Sequence, residues 1–280
     1  MSEATLRAAV AERAARAGGV VANERFRSDV EVTTKQNRND LVTEADRDAQ
    51  RQVIATIRQE FPGAAFVCEE DSRPFGTDKG AVELLEAVPE SGDVWVVDPI
   101  DGTSNYVREI RFWGTSVVAV SGGEPVAAAT YMPAEEDIYT AGPESVSRND
   151  TSMTVSERSD PETFAAALIG WWPSKQGAEY ASLFGAAADR FGDLRRAGSM
   201  QGALALVAAG GFDAAFMPAT PHPWDAIAGV HLIRQAGGTA TDIDGDRWTN
   251  GDEGLVVSNG TAHDTVLKAV RDGLGIDAPT

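Results

Sequence analysis

One stretch decides the fold of this 280-residue chain: Val94-Trp95-Val96-Val97-Asp98-Pro99-Ile100-Asp101-Gly102-Thr103. Its apolar start predicts a buried strand, and Gly102 predicts a sharp turn where that strand ends. On the turn, Asp98 and Asp101 can face one point in space, as the oxygen ligands of a hard cation such as Mg²⁺ must. The N–H groups that follow begin a short helical turn and can hold a phosphate. The stretch favours a metal-assisted phosphate site over the alternative, a plain loop in which Asp caps a turn.

Two further acids lie at the ends of predicted elements in the first third of the chain. Asp46 comes just before a predicted helix over residues 47–60, where its alternative role is an N-cap. Glu69 directly follows a short apolar strand, which makes it the better ligand candidate in its segment. For Glu70 and Asp71 we expect an exposed acidic loop.

A fifth acid, Asp225, opens a predicted helix that runs to about residue 235, and a cap is again the alternative. The four acidic segments are distant in sequence, yet each lies at the end of a buried element. Because like charges gathered at one place must be offset by cations, together they favour a shared metal site.

These segments resemble a known family. In chain order they are Lys35 with Asp40-Leu-Val-Thr-Glu-Ala-Asp46, then Glu69-Glu70, then Asp98-Pro-Ile-Asp-Gly-Thr103, and then Trp224-Asp225-Ala-Ile-Ala-Gly229. They are similar to the successive signatures of the inositol monophosphatases, and the resemblance runs from about Lys35 to Asn259. The wider superfamily also contains fructose-1,6-bisphosphatases and other lithium-sensitive, magnesium-dependent phosphatases. The resemblance implies an α/β (α+β) fold, a layered α/β/α/β/α sandwich.

The resemblance also implies two to three Mg²⁺ ions, with Mn²⁺ as a possible substitute and Li⁺ as an inhibitor. One ion would lie between Glu69, Asp98 and the backbone carbonyl of Ile100. A second would lie between Asp98, Asp101 and Asp225, and a third, weaker ion would sit near Glu69 through water.

The catalytic residues that the resemblance implies are Asp46, Thr103 and Glu69. Thr103, paired with Asp46, would orient the attacking water and help to deprotonate it, and the N–H groups of Gly102 and Thr103 would cradle the phosphate. Lys35 would lie near this site, although a solvated surface lysine is the alternative. The substrate- and phosphate-binding residues implied in this way are Lys35, Asp101, Gly102, Thr103, Arg196, Gly198, Ser199 and Asp225.

The chain departs from the inositol-specific pattern at Pro218, where many family members have a glutamate that binds hydroxyls of the inositol ring. Proline has no side-chain acceptor, so the leaving group stays open while the catalytic assignment is unaffected. Thr220 or His222 are the candidates to replace that glutamate. An arginine at position 196 favours a second phosphate, with a surface ion pair as its alternative role.

We therefore expect a Mg²⁺-dependent phosphomonoesterase that acts on a small polyol or sugar phosphate. Inositol-1-phosphate and fructose-1,6-bisphosphate are the first candidates, and a nucleotide 3′-phosphatase or a histidinol-phosphate phosphatase would use the same metal chemistry. The alternative of another class is a non-catalytic regulatory or binding protein that retains the fold. The presence of Asp46, Thr103 and every metal acid favours the enzyme. Because family members are commonly dimers, we also expect a homodimer.

Charge and composition restrict the partners and the setting. The chain has 43 acidic and 24 basic residues, a formal net charge of −19 and only four lysines, which disfavours nucleic-acid binding. An acid-rich, lysine-poor surface is typical of adaptation to high salt, and an ordinary acidic cytoplasmic protein is the alternative. The single cysteine, the lack of a long apolar run and a start without a basic or apolar leader predict a cytoplasmic protein without a membrane span.

The order of predicted elements divides the chain into two halves. We expect an N-terminal α+β half over residues 1–146 that carries most metal ligands. A C-terminal α/β half over residues 147–280 would carry Asp225 and the wall of the substrate pocket. The polar residues 144–160 are expected to form an irregular junction, and Trp171-Trp172 match no feature that we can assign.

Hydrophobic patterning refines this division. Three strands at about 113–120, 126–132 and 137–140 predict an antiparallel meander, and an Ala-rich segment predicts a helix over 202–209.

Overall fold

Seven α-helices and two large β-sheets make up the part of the chain that the computed structural model describes, which comprises residues 2–28, 32–34, 41–70, 82–170 and 176–276. Residues 32–34 and 41–42 are described by their backbone alone. The helices are α1 (Glu3–Arg25), α2 (Glu44–Glu60), α3 (Thr103–Tyr106), α4 (Gly177–Ala188), α5 (Met200–Ala208), α6 (Pro223–Gln235) and α7 (His263–Leu274). The strands are β1 (Val32–Thr34), β2 (Leu41–Thr43), β3 (Ala65–Cys68), β4 (Glu83–Leu84), β5 (Asp93–Asp101), β6 (Gly114–Ser121), β7 (Glu124–Met132), β8 (Asp137–Ala141), β9 (Val146–Arg148), β10 (Thr151–Ser152), β11 (Ala165–Leu168), β12 (Asp193–Arg195), β13 (Ala214–Met217), β14 (Thr239–Thr241) and β15 (Leu255–Ser258).

The two large sheets follow each other along the chain. The first has eight strands in the order β10-β9-β8-β7-β6-β5-β3-β4, and the second has five in the order β12-β11-β13-β15-β14. Strand β5 is parallel to β3 on one side and antiparallel to β6 on the other. Strands β1 and β2 form a separate antiparallel pair directly before α2.

Alternation along β5 explains why its stretch Val94–Val97 is apolar at every position. Trp95 and Val97 face the core formed with α1 and α2, whereas Val94 and Val96 face a second core that they share with α5 and α6. Successive side chains of a strand point to opposite faces, so a strand covered on both faces needs an unbroken apolar run. The run that opens the deciding stretch therefore belongs to a fully buried strand, as predicted.

The elements pack in five layers. Helices α1 and α2 cover one face of the eight-stranded sheet, and α5 and α6 lie between the two sheets. Helices α4 and α7 cover the outer face of the five-stranded sheet, where Leu183 and Val270 join the core around Phe216. This order confirms the α/β/α/β/α sandwich. Within the described ranges, no helix combines the length and apolar character that a bilayer span requires.

Most predicted elements are present, with shifted ends. The antiparallel meander is confirmed as β6, β7 and β8, and the predicted helix that Asp225 opens is confirmed as α6. The predicted helix over 47–60 begins earlier, at Glu44, because Thr43 is its N-cap. The Ala-rich helix likewise begins at Met200 because Ser199 caps it.

The expectation of an irregular junction over residues 144–160 was wrong in its first part. Strands β9 and β10 form an antiparallel hairpin that extends the eight-stranded sheet, because Val146 and Met153 are buried in the core between the sheets. The change from one sheet to the other falls after Ser152. The division into domains 1–146 and 147–280 stays a prediction, and Trp171-Trp172 lie outside the described residues.

Candidate metal and phosphate site

The last residues of β5 bring two carboxylates to one side of the strand. In regular pairing, residues three apart point to opposite faces. Here Asp98 pairs with Ser116 while Asp101 pairs with Gly114, so β5 has one residue more than β6 between these two pairs. The carbonyl of Pro99, inside this bulge, accepts a hydrogen bond of 2.7 Å from the Thr115 hydroxyl. A bulge of this kind re-aims side chains, and it lets Asp98 and Asp101 share a face.

Two glycines allow the turn after β5 to pack closely against the segment that precedes α5. Gly102 has φ +91° and precedes α3, and Gly198 has φ +81°. A β-carbon on Gly102 would lie 3.0 Å from Cβ of Ser199, and one on Gly198 would lie 2.7 Å from Oδ1 of Asn105. The amide of Asn105 also donates 2.8 Å to the carbonyl of Ala197. The turn and the segment before α5 are thus held in contact, where a side chain would separate them.

The third carboxylate comes from the other half of the chain. Asp225 lies in the first turn of α6, and one oxygen of each of Asp98, Asp101 and Asp225 lies within 4.8 Å of the others. All three border a cavity of about 310 Å³. Its lining consists of residues Glu69, Asp98, Ile100–Asn105, Leu168–Gly170, Arg196–Met200 and Asp225.

Glu69 borders the same cavity but is not one of these three acids. Its N–H donates 3.2 Å to the carbonyl of Val97, so the end of β3 is fixed beside Asp98. The charge of Glu69 contributes to the raised pKa of Asp98. The structure thus brings together all four acids that the sequence singled out as metal ligands.

Asp98 is the acid that most needs a cation. Only 2% of it is exposed, and no donor among the described residues reaches its Oδ1. Burial raises its pKa well above the ordinary range, and the charges of Glu69, Asp101 and Asp225 raise it further. A buried acceptor without a donor, in a set of oxygen ligands only, fits a hard divalent ion such as Mg²⁺.

Asp101 is held by the N-terminus of α5. Its Oδ2 accepts from the Ser199 hydroxyl and, at 3.2 Å, from the N–H of Gly202, while Oδ1 accepts 2.9 Å from the N–H of Met200. Burial raises the pKa of Asp101 to about 6, and these hydrogen bonds oppose the rise. The N-terminus of α5 thus fixes the orientation of the Asp101 carboxylate beside the cavity.

Asp46 lies beside Thr103 and is anchored from its other side. Its Oδ2 accepts 2.8 Å from the N–H and 2.6 Å from the hydroxyl of Thr43, which closes a capping box at the start of α2. The Thr103 hydroxyl lies 3.4 Å from Oδ1 of Asp46 and 3.1 Å from the carbonyl of Ile100. Burial, with Glu69 and Glu70 nearby, raises the pKa of Asp46 to about 7. The N-cap role considered for Asp46 belongs to Thr43.

Of the other residues that the sequence predicted at the site, some border the cavity and others do not. Arg196, Gly198 and Ser199 border the cavity, and the guanidinium of Arg196 lies 5.5 Å from the centre of the Tyr180 ring. Pro218 and His222 are not part of the described lining, and the His222 ring stacks on Trp224 at 4.8 Å instead. Lys35 lies outside the described residues.

The expectation that Glu70 lies in an exposed loop was wrong. It is 6% exposed, because both its backbone polar atoms bond to the buried amide of Gln50 on α2. Asp71, for which the same loop was expected, lies outside the described residues.

Two polar residues that support the site were not found from the sequence. Gln50 and Gln201 are fully buried and bond to backbone beside Glu69 and Asp225. Gln50 lies within the predicted helix over 47–60 and Gln201 just before the one predicted over 202–209, and neither position identifies the partner of the side chain.

Comparisons with known proteins identify the family. The model of the inositol monophosphatase family matches residues 3–274. Nus factor SuhB of Salmonella typhimurium strain LT2 is 30% identical over 268 residues, covering 95% of this chain and 96% of that protein. A fructose-1,6-bisphosphatase/inositol-1-monophosphatase of Thermotoga maritima is 30% identical over 247 residues, with 86% of each chain covered. The solved structure of extragenic suppressor protein suhB from Bartonella henselae superposes with a TM-score of 0.83 at 25% identity, covering 96% of this chain and 99% of that one. The chain therefore belongs to the inositol monophosphatase family of phosphatases.

Proposed function

We propose that the chain is a Mg²⁺-dependent phosphomonoesterase that hydrolyses a small polyol or sugar phosphate, most readily inositol-1-phosphate or fructose-1,6-bisphosphate. One observation carries the proposal: carboxylates from β5 and from α6 converge on a cavity that also contains the start of α3. Asp98, Asp101 and Asp225 would hold one cation, and Glu69, Asp98 and the carbonyl of Ile100 another. A third, weaker ion near Glu69 and inhibition by Li⁺ follow from the family resemblance alone.

The residues around the cavity have separable roles in this reaction. Bound divalent ions would lower the pKa of water and offset the charge of the phosphate. Thr103 would direct the attacking water, and Asp46, with a pKa of about 7, would take up its proton near neutral pH. The N–H groups of Gly102 and Thr103, at the start of α3, would bind phosphate oxygens.

The substrate preference rests on the rim of the cavity. Arg196 is exposed at this rim and is the one cationic side chain in the described lining, so it would bind a second anionic group of the substrate. Leu168, Ile169 and Met200 also border the cavity but are almost fully buried, so they present little apolar surface to the leaving group. Pro218 has no side-chain acceptor for ring hydroxyls. A cation at the rim and no acceptor for ring hydroxyls at Pro218 favour fructose-1,6-bisphosphate as a first candidate beside inositol-1-phosphate. The Thermotoga relative is named as a fructose-1,6-bisphosphatase as well as an inositol-1-monophosphatase.

Other phosphate esters use the same chemistry, and one other class of function stays a candidate. A nucleotide 3′-phosphate or histidinol phosphate would bind through the same ions. Several relatives are named Nus factor SuhB, which favours a regulatory role that retains the fold as the alternative. The complete set of candidate catalytic and metal residues supports the enzyme, and the net charge of −19 opposes direct contact with nucleic acid. A cytoplasmic location and a homodimer stay predictions.

A hydrolysis panel tests the proposal. Inositol-1-phosphate, fructose-1,6-bisphosphate, histidinol phosphate and 3′-phosphoadenosine phosphate would be compared with Mg²⁺, at low and at molar KCl. We expect turnover of at least one ester, its inhibition by millimolar Li⁺, and a loss of about a thousandfold in kcat for Asp225→Asn, since a lost cation removes several kcal/mol of transition-state stabilisation.

The matched control is Asp264→Asn, because Asp264 lies in the first turn of α7 as Asp225 lies in that of α6. It should keep the activity of the parent protein. Equal turnover by Asp225→Asn and the parent would contradict the assignment. No hydrolysis of any ester at either salt concentration would favour the regulatory alternative.

A further inference from the structure

Gln201 connects α5 to the first turn of α6, on both sides of Asp225. Its side chain is fully buried, and its Nε2 donates 2.6 Å to the carbonyl of Trp224, the residue before Asp225. The N–H of Gly229 donates 2.8 Å to its Oε1. In a regular helix that N–H is directed at the carbonyl of Asp225. One amide therefore fixes the backbone just before Asp225 and one turn after it.

The close approach of α5 and α6 makes this connection short. A β-carbon at Gly229 would lie 2.4 Å from Cβ of Leu204 and 2.9 Å from Oε1 of Gln201. The same turn of α5 holds Asp101 through Ser199, Met200 and Gly202. A single helical turn thus holds two acids that reach the cavity from different halves of the chain.

Gln50 makes an equivalent connection beside Glu69. It is fully buried on α2, its Nε2 donates 2.5 Å to the carbonyl of Glu70, and the N–H of Glu70 donates 3.0 Å to its Oε1. Both backbone polar atoms of the residue after Glu69 are therefore held by one side chain. On the other side, the N–H of Glu69 is bonded to β5 at Val97.

Both glutamines act on backbone, and neither borders the cavity in the described structure. An apolar side chain of similar size would fill the same space but leave a buried carbonyl and a buried N–H without partners. Residues that orient metal ligands typically change metal affinity by 10- to 100-fold when they are replaced, although they do not touch the ion.

We propose that Gln201 and Gln50 are positioning residues for two different cations, Gln201 through Asp225 and Gln50 through Glu69. The inference rests on the proposed function, because it requires that these acids bind metal. The separation follows from the geometry: Asp225 belongs to the group with Asp98 and Asp101, and Glu69 does not.

The test is a Mn²⁺ titration of the full chain, with free Mn²⁺ measured by electron paramagnetic resonance. Asp225→Asn and Glu69→Gln serve as references, since each should remove one class of bound ion. We expect Gln201→Met to weaken the class that Asp225→Asn removes by about tenfold, and Gln50→Met to weaken the class that Glu69→Gln removes by a similar factor. The other class should stay within about twofold of the parent in each case.

Two exposed glutamines provide controls, one on the helix of Gln50 and one on the helix that Gln201 contacts. Gln52→Met on α2 and Gln235→Met on α6 should leave both classes of ion unchanged. Circular dichroism and thermal unfolding in EDTA would establish that each variant is folded. If either methionine variant does not fold, Gln201→Asn or Gln50→Asn replaces it, since a shorter amide keeps polarity but does not reach both partners.

A double-mutant cycle separates positioning from a merely structural role. On the Asp225→Asn background, Gln201→Met should no longer change Mn²⁺ affinity, because the ion that it positions is absent. Equal weakening of both ion classes by each glutamine variant, or no weakening by either, would overturn the inference. If Asp225→Asn itself bound as many ions as the parent, the proposed metal site would fail instead.

Discussion

The Thr103 hydroxyl, at the cavity, lies 3.4 Å from Oδ1 of the buried Asp46, although the two residues are 57 positions apart in sequence. Thr43 occupies the other oxygen of Asp46, so this carboxylate has a fixed orientation toward Thr103. The Thr103 hydroxyl also has the carbonyl of Ile100 at 3.1 Å as an alternative acceptor. The pair is thus a positioned hydroxyl next to a carboxylate whose pKa burial raises to about 7.

Replacement of Thr103 should therefore affect turnover far more than ion binding. We expect Thr103→Val to lower kcat by about a hundredfold or more, because general acid–base assistance typically contributes 10²- to 10⁴-fold. KM and Mn²⁺ affinity should change little. Thr103→Ser keeps the hydroxyl and should retain most of the activity. Steady-state kinetics decides this, and a Val variant as active as the parent would remove Thr103 from the reaction.

Asp98 should destabilise the protein when no cation is bound. Its raised pKa means that the folded state holds the proton more tightly than the unfolded state, so unfolding becomes easier as pH rises above about 4. We expect Asp98→Asn in EDTA to raise the free energy of unfolding by about 1–3 kcal/mol at pH 8, with a smaller effect at pH 5. Urea unfolding measures both values.

The same variant should lose the stabilisation that Mg²⁺ gives to the parent. A ligand that binds only the folded state stabilises the parent by a free energy that grows with the logarithm of its concentration relative to Kd, and so raises the unfolding temperature. This account of Asp98 would be contradicted if Mg²⁺ raised the unfolding temperature of Asp98→Asn as much as it raises that of the parent. It would also be contradicted if the variant were less stable than the parent in EDTA at pH 8.

The hydroxyl of Ser199 should stabilise the ionised form of Asp101. Ser199 is buried, it caps α5 and it donates to Oδ2 of Asp101. We expect Ser199→Ala to lower the free energy of unfolding by about 2 kcal/mol above pH 6, as is typical for a lost hydrogen bond to a charged group. Below the pKa of Asp101, which is about 6, the loss should be smaller. Ser199→Thr, which keeps the hydroxyl, should behave as the parent does, and a cost independent of pH would point to the helix cap alone.

His231 should make the protein less stable in mild acid. Burial, helped by the charge of Arg234 and opposed by that of Glu124, lowers its pKa from the ordinary 6.5 to about 4. Between these two values the unfolded state binds the proton and the folded state does not, so stability is complete above pH 6.5 and falls as pH approaches 4. The loss should reach about 3 kcal/mol at most.

A comparison of the parent with His231→Leu isolates the contribution of His231 to this loss of stability. The variant should lose less free energy of unfolding between pH 7 and pH 4.5, as measured by urea unfolding in EDTA. Identical pH dependence in the two proteins would mean that His231 is protonated in the folded state as easily as in the unfolded state.

The excess of acidic residues should make stability depend on salt. With 43 acidic residues against 24 basic ones, self-repulsion opposes the folded state, and salt shortens the range of that repulsion from about 10 Å at 0.1 M to about 3 Å at 1 M. We expect the unfolding temperature to rise with KCl between about 0.1 M and 2 M at constant Mg²⁺. Sucrose at equal osmolality is the control, and an unfolding temperature that stays constant would favour an ordinary acidic protein.

The sequence predicted the elements whose signal is local. The apolar run of β5, the turn at Gly102 and the helix of Asp225 are recorded in residues that are adjacent in the chain, and all three are present. The acids of the site were also predictable, because several carboxylates at the ends of apolar segments are together better explained by a shared cation than by separate caps. The resemblance to a family supplied the rest of that set.

What the sequence did not reveal depends on contacts between distant segments. Gln201 binds the carbonyl of Trp224 and the N–H of Gly229, and backbone atoms leave no trace in a sequence. The hairpin of β9 and β10 was missed because its polar residues face outward and only Val146 and Met153 reach the core. The burial of Glu70, which follows β3, likewise depends on its contact with Gln50 on helix α2.

The distance in sequence between the acids on β5 and the acid on α6 has a consequence for synthesis. A ribosome releases Asp98 and Asp101 long before it releases α5 and α6, so a growing chain carries both carboxylates without the helix turn that later surrounds Asp101. Until residue 225 emerges, the group of Asp98, Asp101 and Asp225 is incomplete. The N-terminal half therefore carries two of these carboxylates before the third is synthesised, and this acidic cluster forms only late in synthesis.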